Sequence, residues 1–145
     1  MGVSLIFDDY DKCLYYLKKY EEMLEMYNWE PYLEILRNNL IPFINNIWGK
    51  TKSSDEISDT LEKAHYEAKY GSKKTAIELL NSFNDKDKSP FSLYYRGIAE
   101  DDSTILLQSL VKFMKLGNKF FAKLPYELLM GDEKLFKVAE LIFNE

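Results

Sequence analysis

Apolar side chains recur three and four residues apart along most of this chain, and that spacing limits what it can fold into. Such spacing places side chains on one face of an α-helix. A half-buried strand would show alternating apolar and polar residues, and we find no convincing alternation. A short strand is possible only in fragments such as residues 2–7 and 91–98. The clearest helical stripe lies in residues 9–27 and consists of Cys13, Tyr16, Leu17, Tyr20, Met23, Leu24 and Tyr27.

Capping residues and prolines predict where the next helices begin and bend. Pro42 lies within a helical run and would clash with the carbonyl of Asn38, which predicts a kink or a restart near that residue. Ser53 and Glu56 have capping-box spacing, so we expect a helix to run from there to Tyr70.

The second half of the chain continues the helical pattern. Residues 105–116 are apolar on nearly every side, which predicts a helix in the middle of the molecule. Residues 84–90 are the most polar stretch and predict a mobile loop. Pro125 predicts a turn before residues 126–130, and Asp132 predicts the cap of a terminal helix. The sequence therefore predicts an all-α fold, a single domain over residues 1–145, built as one irregular bundle or αα array of about seven or eight helices.

Composition indicates a chain that folds without a metal ion or a disulfide. At 145 residues and 46% hydrophobic composition, it should bury about two thirds of the surface of its unfolded form. Cys13 is the single cysteine and cannot form an internal disulfide. The N-terminus does not resemble an export signal, and no segment has the roughly 18 apolar residues of a membrane span. We therefore expect a cytoplasmic protein without a membrane partner.

The acidic charge of the chain is concentrated at its N-terminal end. Residues 1–34 hold eight acidic residues and three lysines, and thus the whole net charge of −5. The sequence pI is near 5.0, and two of the nineteen basic residues are arginines. Because phosphate contacts require concentrated positive charge, this balance argues against nucleic acid as a direct ligand.

Glu62 and His65 form the spacing that most resembles a catalytic or metal site. An E-x-x-H pair can present two ligands from one helix face, but di-iron bundles need two such pairs and this chain has one histidine. The preferred interpretation is structural, with His65 partly buried beside Leu61 and Ala68 and with Glu62 in solvent. We expect no catalytic residues, no metal site and no cofactor. A small enzyme or ligand-binding protein with a pocket at Glu62, His65 or Tyr66 is the alternative.

Residues 64–83 resemble one tetratricopeptide-type helical hairpin. Ala64, Gly71, Ala76 and Leu80 occupy suitable small and large positions. The residues 34 positions away on either side are Glu30 and Ile98, so no repeat array is visible. Two helices packed around small residues explain the segment more simply.

Three tyrosines are candidate contact residues. Tyr66 and Tyr70 lie one turn apart on a helix face away from Ala64 and Ala68, and Tyr15 lies on the charged face of its helix. Tyr66 and Tyr70 are either covered by another part of the chain or exposed. Exposed rigid aromatic residues are enriched in protein interfaces.

In size, charge and helical character the chain resembles the immunity proteins of bacterial contact-dependent inhibition and polymorphic toxin systems. The resemblance implies a non-catalytic module that binds and neutralises a basic, nuclease-type toxin domain, as an antitoxin does. Carboxylates would then steer the basic partner to its site. A homodimeric structural protein, which would use the same exposed aromatics, is a further alternative. The predicted contact residues are Asp11, Tyr15, Glu22, Glu25, Glu30, Glu34, Tyr66 and Tyr70.

Overall fold

The computed structural model describes residues 5–83 and 89–145, and all regular secondary structure in those ranges is helical. A π-helical turn at Leu36–Leu40 and a 3₁₀ turn at Ser54–Glu56 accompany ten α-helices in the described ranges. In chain order these are α1 Leu5–Asp8, α2 Tyr10–Met26, α3 Glu30–Ile35, α4 Ile41–Ile47, α5 Thr60–Tyr70, α6 Lys73–Asn81, α7 Pro90–Glu100, α8 Ser103–Lys115, α9 Lys119–Leu129 and α10 Phe136–Phe143.

The predicted all-α class is confirmed. Because α3, the π turn and α4 follow one another without a break, they form one helix, and the described residues then hold eight helices of eight residues or more. The fragment 91–98, left open as a strand, lies in α7 instead. Of the fragment 2–7, residues 5–7 are helical and the rest lie outside the described residues. Of the predicted mobile loop 84–90, residues 84–88 also lie outside them, and Pro90 begins α7.

The chain divides into two compact units, Met1–Tyr66 and Glu67–Glu145. The single domain predicted over residues 1–145 stays a prediction. In the first unit, the buried apolar side chains come from α2, from the α3 to α4 helix, from the segment before α5 and from the start of α5. They are Cys13, Leu17, Leu24, Leu33, Leu36, Phe43, Ile44, Ile57 and Ala64.

The irregularity predicted near Asn38 is present as the π turn. The backbone N–H of Ile41 donates to the carbonyl of Leu36, five residues back. A π turn is wider than an α turn, and the wider turn accommodates the ring of Pro42, which would clash with the preceding turn of a regular helix. The helix therefore passes through the proline without breaking.

The expected helix start at Ser53 is wrong by several residues. The Ser53 hydroxyl accepts from the N–H of Asp55 at 3.2 Å and caps only the short 3₁₀ turn. The helix begins at Thr60, where the Asp59 carboxylate accepts from the N–H of Glu62 at 3.0 Å. Asp59 satisfies a first-turn donor as well as Ser53 would, so the sequence contained two competing caps.

In the second unit, α8 packs against α7, α9 and α10, as its nearly continuous apolar surface predicted. The approach of α7 to α8 is close because Gly97 has no side chain: a Cβ atom there would lie 2.6 Å from Leu106 Cδ2. The Ser109 hydroxyl, fully buried, donates to the Pro90 carbonyl at 2.7 Å and joins the same two helices.

Two expectations for the C-terminal region are wrong. Pro125 lies buried inside α9 instead of forming a turn. Asp132 does cap, since its carboxylate accepts from the N–H groups of Lys134 and Leu135 at 2.9 and 2.8 Å. It caps a turn before α10, however, because α10 itself begins at Phe136.

The helical hairpin resembling a tetratricopeptide unit is present as α5 and α6. Ala68 and Ala76 are buried together with Ala99 of α7, and Ile77 and Ile98 pack against them. Small side chains thus allow the three helix segments to approach closely. Within the described ranges, no helix is both long enough and apolar enough to span a membrane.

Candidate functional site

The acidic residues predicted for partner binding lie on the surface of α2 and α3. Asp11, Glu22 and Glu25 are exposed on α2, and Glu30 and Glu34 are exposed on α3. The structure therefore confirms that these carboxylates are accessible. Their accessibility does not test whether they bind a partner, and that role stays a prediction.

Arg37, on the π turn, pairs with two of the α2 carboxylates. Its Nε donates to Glu21 Oε2 at 2.9 Å, and a terminal nitrogen donates to Glu25. The hydrogen bond with Glu21, together with the two negative charges, raises the pKa of Arg37 above its usual range. Glu25 is therefore already engaged within the chain. The sequence did not predict this pairing, since Glu25 and Arg37 are twelve residues apart. The direction of the Arg37 side chain also depends on the π turn that carries it.

Tyr15, predicted as a contact residue, is 58% exposed. Its ring meets that of Tyr16 edge to face at 5.4 Å, and the Lys19 ammonium lies 5.5 Å from its centroid. Lys19 also lies 3.8 Å from Glu22. Exposed contacts of these kinds contribute about 0.5–1 kcal/mol at most. Tyr15 is thus held loosely and remains able to contact another molecule.

A cluster of exposed aromatic residues at the α2–α3 junction was missed by the sequence analysis. The ring of Trp29 lies 5.7 Å from that of Tyr27 and 6.1 Å from that of Tyr32, and all three are at least half exposed. Tyr27 belongs to the apolar stripe that was predicted to form the core face of α2. Burial on α2 is in fact confined to Cys13, Leu17 and Leu24, so the apolar stripe is wider than the core it covers.

The two tyrosines of α5 differ in exposure. Tyr66 is half-buried, and its hydroxyl donates to the Lys52 carbonyl at 3.3 Å. Tyr70 is 48% exposed, and its partial burial raises the pKa of its hydroxyl. Tyr70 is therefore the more accessible of the two candidate contact residues.

Two surface grooves lie on the first unit. One, of about 430 Å³, is lined by α2 residues and by Leu40 of the π turn. The other, of about 510 Å³, contains Glu34 together with Asn38, Asn39 and Asp59. The π turn thus contributes one lining residue to the first groove and two to the second, in keeping with the frequent occurrence of π turns at functional sites.

Glu62 and His65 form a buried polar network with Asn46. Glu62 Oε2 lies 3.0 Å from His65 Nδ1, and Asn46 Nδ2 donates to the Glu62 carbonyl at 3.1 Å. Asn46 Oδ1 accepts from the Thr51 hydroxyl at 2.8 Å. The expectation that Glu62 lies in solvent is wrong, since Glu62 is 5% exposed and His65 is fully buried.

This network joins α4, the loop after it and α5. Burial of a carboxylate is costly unless its oxygens are hydrogen-bonded. His65 supplies such a bond to Glu62 Oε2, and Asn46 Nδ2 lies 3.5 Å from the same oxygen. The arrangement fits a structural role, as predicted for His65. Among the described residues, no group of three or more histidine, cysteine, aspartate or glutamate side chains is placed to hold a metal ion.

Comparison with known proteins gives consistent matches. The family model described as AimR transcriptional regulator-like matches residues 1–130. The AimR transcriptional regulator of Bacillus phage phi3T is 29% identical over 134 residues, which are 86% of this chain and 34% of that protein. An uncharacterized protein of Bacillus anthracis is 29% identical over 138 residues, which are 92% of this chain and 51% of that protein.

A solved structure of selenomethionine phAimR has the same fold. It matches with a TM-score of 0.72 and 29% identity, over 96% of this chain and 38% of that one. The chain thus spans between about a third and a half of the relatives that it matches.

These matches correct the functional interpretation of the sequence. The resemblance to toxin immunity proteins is wrong, and so is a basic toxin as partner. An enzyme pocket and a homodimeric structural protein do not fit the family either. The argument against nucleic acid is also contradicted, because the matching family model and the phage relative are both described as transcriptional regulators. The expectation of a non-enzymatic protein is confirmed by the family. The chain belongs to the AimR transcriptional regulator-like family.

Proposed function

We propose that this chain takes part in the regulation of transcription. The observation that carries the proposal is the family match over residues 1–130. The phage relative is named a transcriptional regulator, and the agreement in fold over 96% of this chain supports carrying that role across. Because the chain spans about a third of the phage regulator, it would supply part of what the longer protein does.

The chain would act by binding. The surface of its first unit offers exposed aromatic and charged side chains on a helical scaffold, and such side chains are suited to protein contacts. The proposed contact residues of this unit remain Asp11, Tyr15, Glu22, Glu25, Glu30, Glu34 and Tyr66, to which the structure adds Trp29 and Tyr32. Tyr70, also proposed, lies in the second unit. Glu25 is the weakest of these candidates because it is paired with Arg37. A cytoplasmic location follows from the proposed role, since a bacterial regulator works where DNA is transcribed.

The proposal is tested by disrupting the gene in its own host and sequencing the transcripts. Complementation with the wild-type gene should restore the levels of a limited set of transcripts. The control is Leu110→Asp, which places a charge at a fully buried position and should unfold the protein. Identical transcript levels in the disrupted strain and in the strain complemented with the wild-type gene would contradict the proposal.

A further inference from the structure

The second unit carries a groove along α8 that none of the proposed contact residues lines. It has a volume of about 450 Å³, within the range of binding sites. Its lining comes from α8 and from one residue of α7, all within the second unit. The lining residues are Leu93, Thr104, Leu107, Gln108, Val111, Lys112 and Lys115.

The two sides of this groove differ in chemistry. Leu93, Leu107 and Val111 form an apolar side, of which Leu93 is buried and the other two are half-buried. The polar side begins with Thr104 and Gln108 and ends with the two lysines. From Thr104 to Lys115 the groove follows three turns of helix, or about 16 Å at 1.5 Å per residue.

The chain segment that supplies the lysine end of the groove is basic, whereas Asp102 lies at its other end, where its carboxylate accepts from the N–H of Thr104 at 2.9 Å. Residues 103–124 contain Lys112, Lys115, Lys119 and Lys123 and not a single aspartate or glutamate. Lys115 is exposed and Lys112 is half-buried. A partner that places carboxylates at this end of the groove would therefore meet complementary charge.

We propose that this groove binds an amphipathic helix of a partner protein, with acidic residues in the first turn of that helix. Apolar residues at helical spacing would contact Leu107 and Val111, as in other helix-in-groove complexes. The partner helix would run antiparallel to α8. Its acidic first turn would then lie beside Lys112 and Lys115, and acidic residues are favoured at a helix N-terminus.

The apolar side of the groove distinguishes this partner from nucleic acid. A phosphate backbone would pair with the lysines but would leave Leu107 and Val111 without an apolar contact. A peptide helix satisfies both sides. The inference does not depend on the proposed role in transcription, because binding can be measured with the purified chain.

The test uses a fluorescent synthetic peptide of about 14 residues, with two glutamates in its first turn and leucines at helical spacing. The matched peptide carries lysines in place of the glutamates. Fluorescence anisotropy at low salt should show that the acidic peptide binds and that the lysine peptide binds at least about tenfold more weakly.

Protein variants locate the site. The double variant Lys112→Glu, Lys115→Glu should weaken binding of the acidic peptide at least about tenfold, whereas Lys119→Glu, Lys123→Glu should weaken it less than about threefold. The control pair makes the same charge change in the same lysine-rich stretch, but neither residue lines the groove. Val111→Thr, nearly the same shape, should also weaken binding.

Three outcomes would overturn the inference. Equal loss of binding in both double variants would mean that the lysines act only as a diffuse positive field. Tight binding of a short duplex DNA that is lost in Lys112→Glu, Lys115→Glu would make the groove a nucleic-acid surface. No binding of the acidic peptide at millimolar protein would show that the groove is not a helix site.

Discussion

Replacing Asn46 with alanine would test the buried polar network of the first unit. The Asn46 side chain is fully buried. It donates to the Glu62 carbonyl and, at 3.5 Å, to Glu62 Oε2, and it accepts from the Thr51 hydroxyl. A hydrogen bond of this kind contributes about 0.5–1.5 kcal/mol to stability. The substitution also leaves a small cavity, which adds to the loss. We expect the free energy of unfolding to fall by about 2–4 kcal/mol.

That loss is large against a total stability of about 5–15 kcal/mol for a typical domain. It should appear in urea titrations followed by circular dichroism, as a lower midpoint with an unchanged slope. The matched control is Asn45→Ala, one position earlier on α4. Asn45 is half-buried and accepts one hydrogen bond, from the Tyr10 hydroxyl at 2.7 Å. This control should lose about 1 kcal/mol.

A double-mutant cycle separates the network from the cavity. Thr51→Val alone should cost about 1 kcal/mol, and combined with Asn46→Ala it should cost less than the sum of the single losses, because both remove the same bond. A loss of less than about 0.5 kcal/mol in Asn46→Ala, or strict additivity with Thr51→Val, would refute the claim that the network stabilises the fold.

Three further predictions concern single residues. Gly97→Ala should destabilise the protein by about 1–3 kcal/mol, although alanine usually favours a helix, because its Cβ would lie 2.6 Å from Leu106 Cδ2. Gly131→Ala, whose Cβ would have no neighbour nearer than 3.6 Å, is the control, and equal stability of the two variants would contradict the close approach. Burial raises the pKa of Tyr94 above its ordinary value of 10.0, with the Glu127 carboxylate adding to the effect. As the pH rises above 10.0, the unfolded chain should therefore lose the Tyr94 proton before the folded chain does, and the free energy of unfolding should fall. Urea titrations in that pH range should show a steeper fall for the wild type than for Tyr94→Phe. Arg37→Gln should change the unfolding midpoint little, since Arg37 and Glu25 are exposed and Glu21 is only half-buried. A large shift would show that its ion pairs stabilise α2 against the π turn.

The helical class could be predicted from spacing, since apolar residues three and four apart have few other solutions. The exact start of a helix and the effect of a proline could not be predicted from spacing, because they depend on competing local signals. Asp59 and Ser53 are both good caps, and the helix begins after Asp59. Pro42 and Pro125 both lie in helices. For Pro42, the π turn before it accommodates the ring.

The contact surface was less predictable than the fold. Exposure of Asp11 and Glu22 follows from their place opposite the apolar stripe of α2. The pairing of Glu25 with Arg37 and the exposure of Trp29 depend on how α2 and α3 meet, which spacing along one helix does not encode. Burial of Glu62 was missed because a carboxylate is usually at the surface, and its partner Asn46 is sixteen residues away.

The most direct test of the role in transcription is to measure which DNA sequences the protein occupies in the cell. The natural protein is crosslinked in its host, and the recovered DNA is sequenced beside that from the Leu110→Asp variant. We expect enrichment at the promoters of the genes whose transcripts respond to disruption of the gene, and loss of that enrichment in the variant. Recovery of those promoters at the level of unrelated coding regions would contradict direct action on transcription.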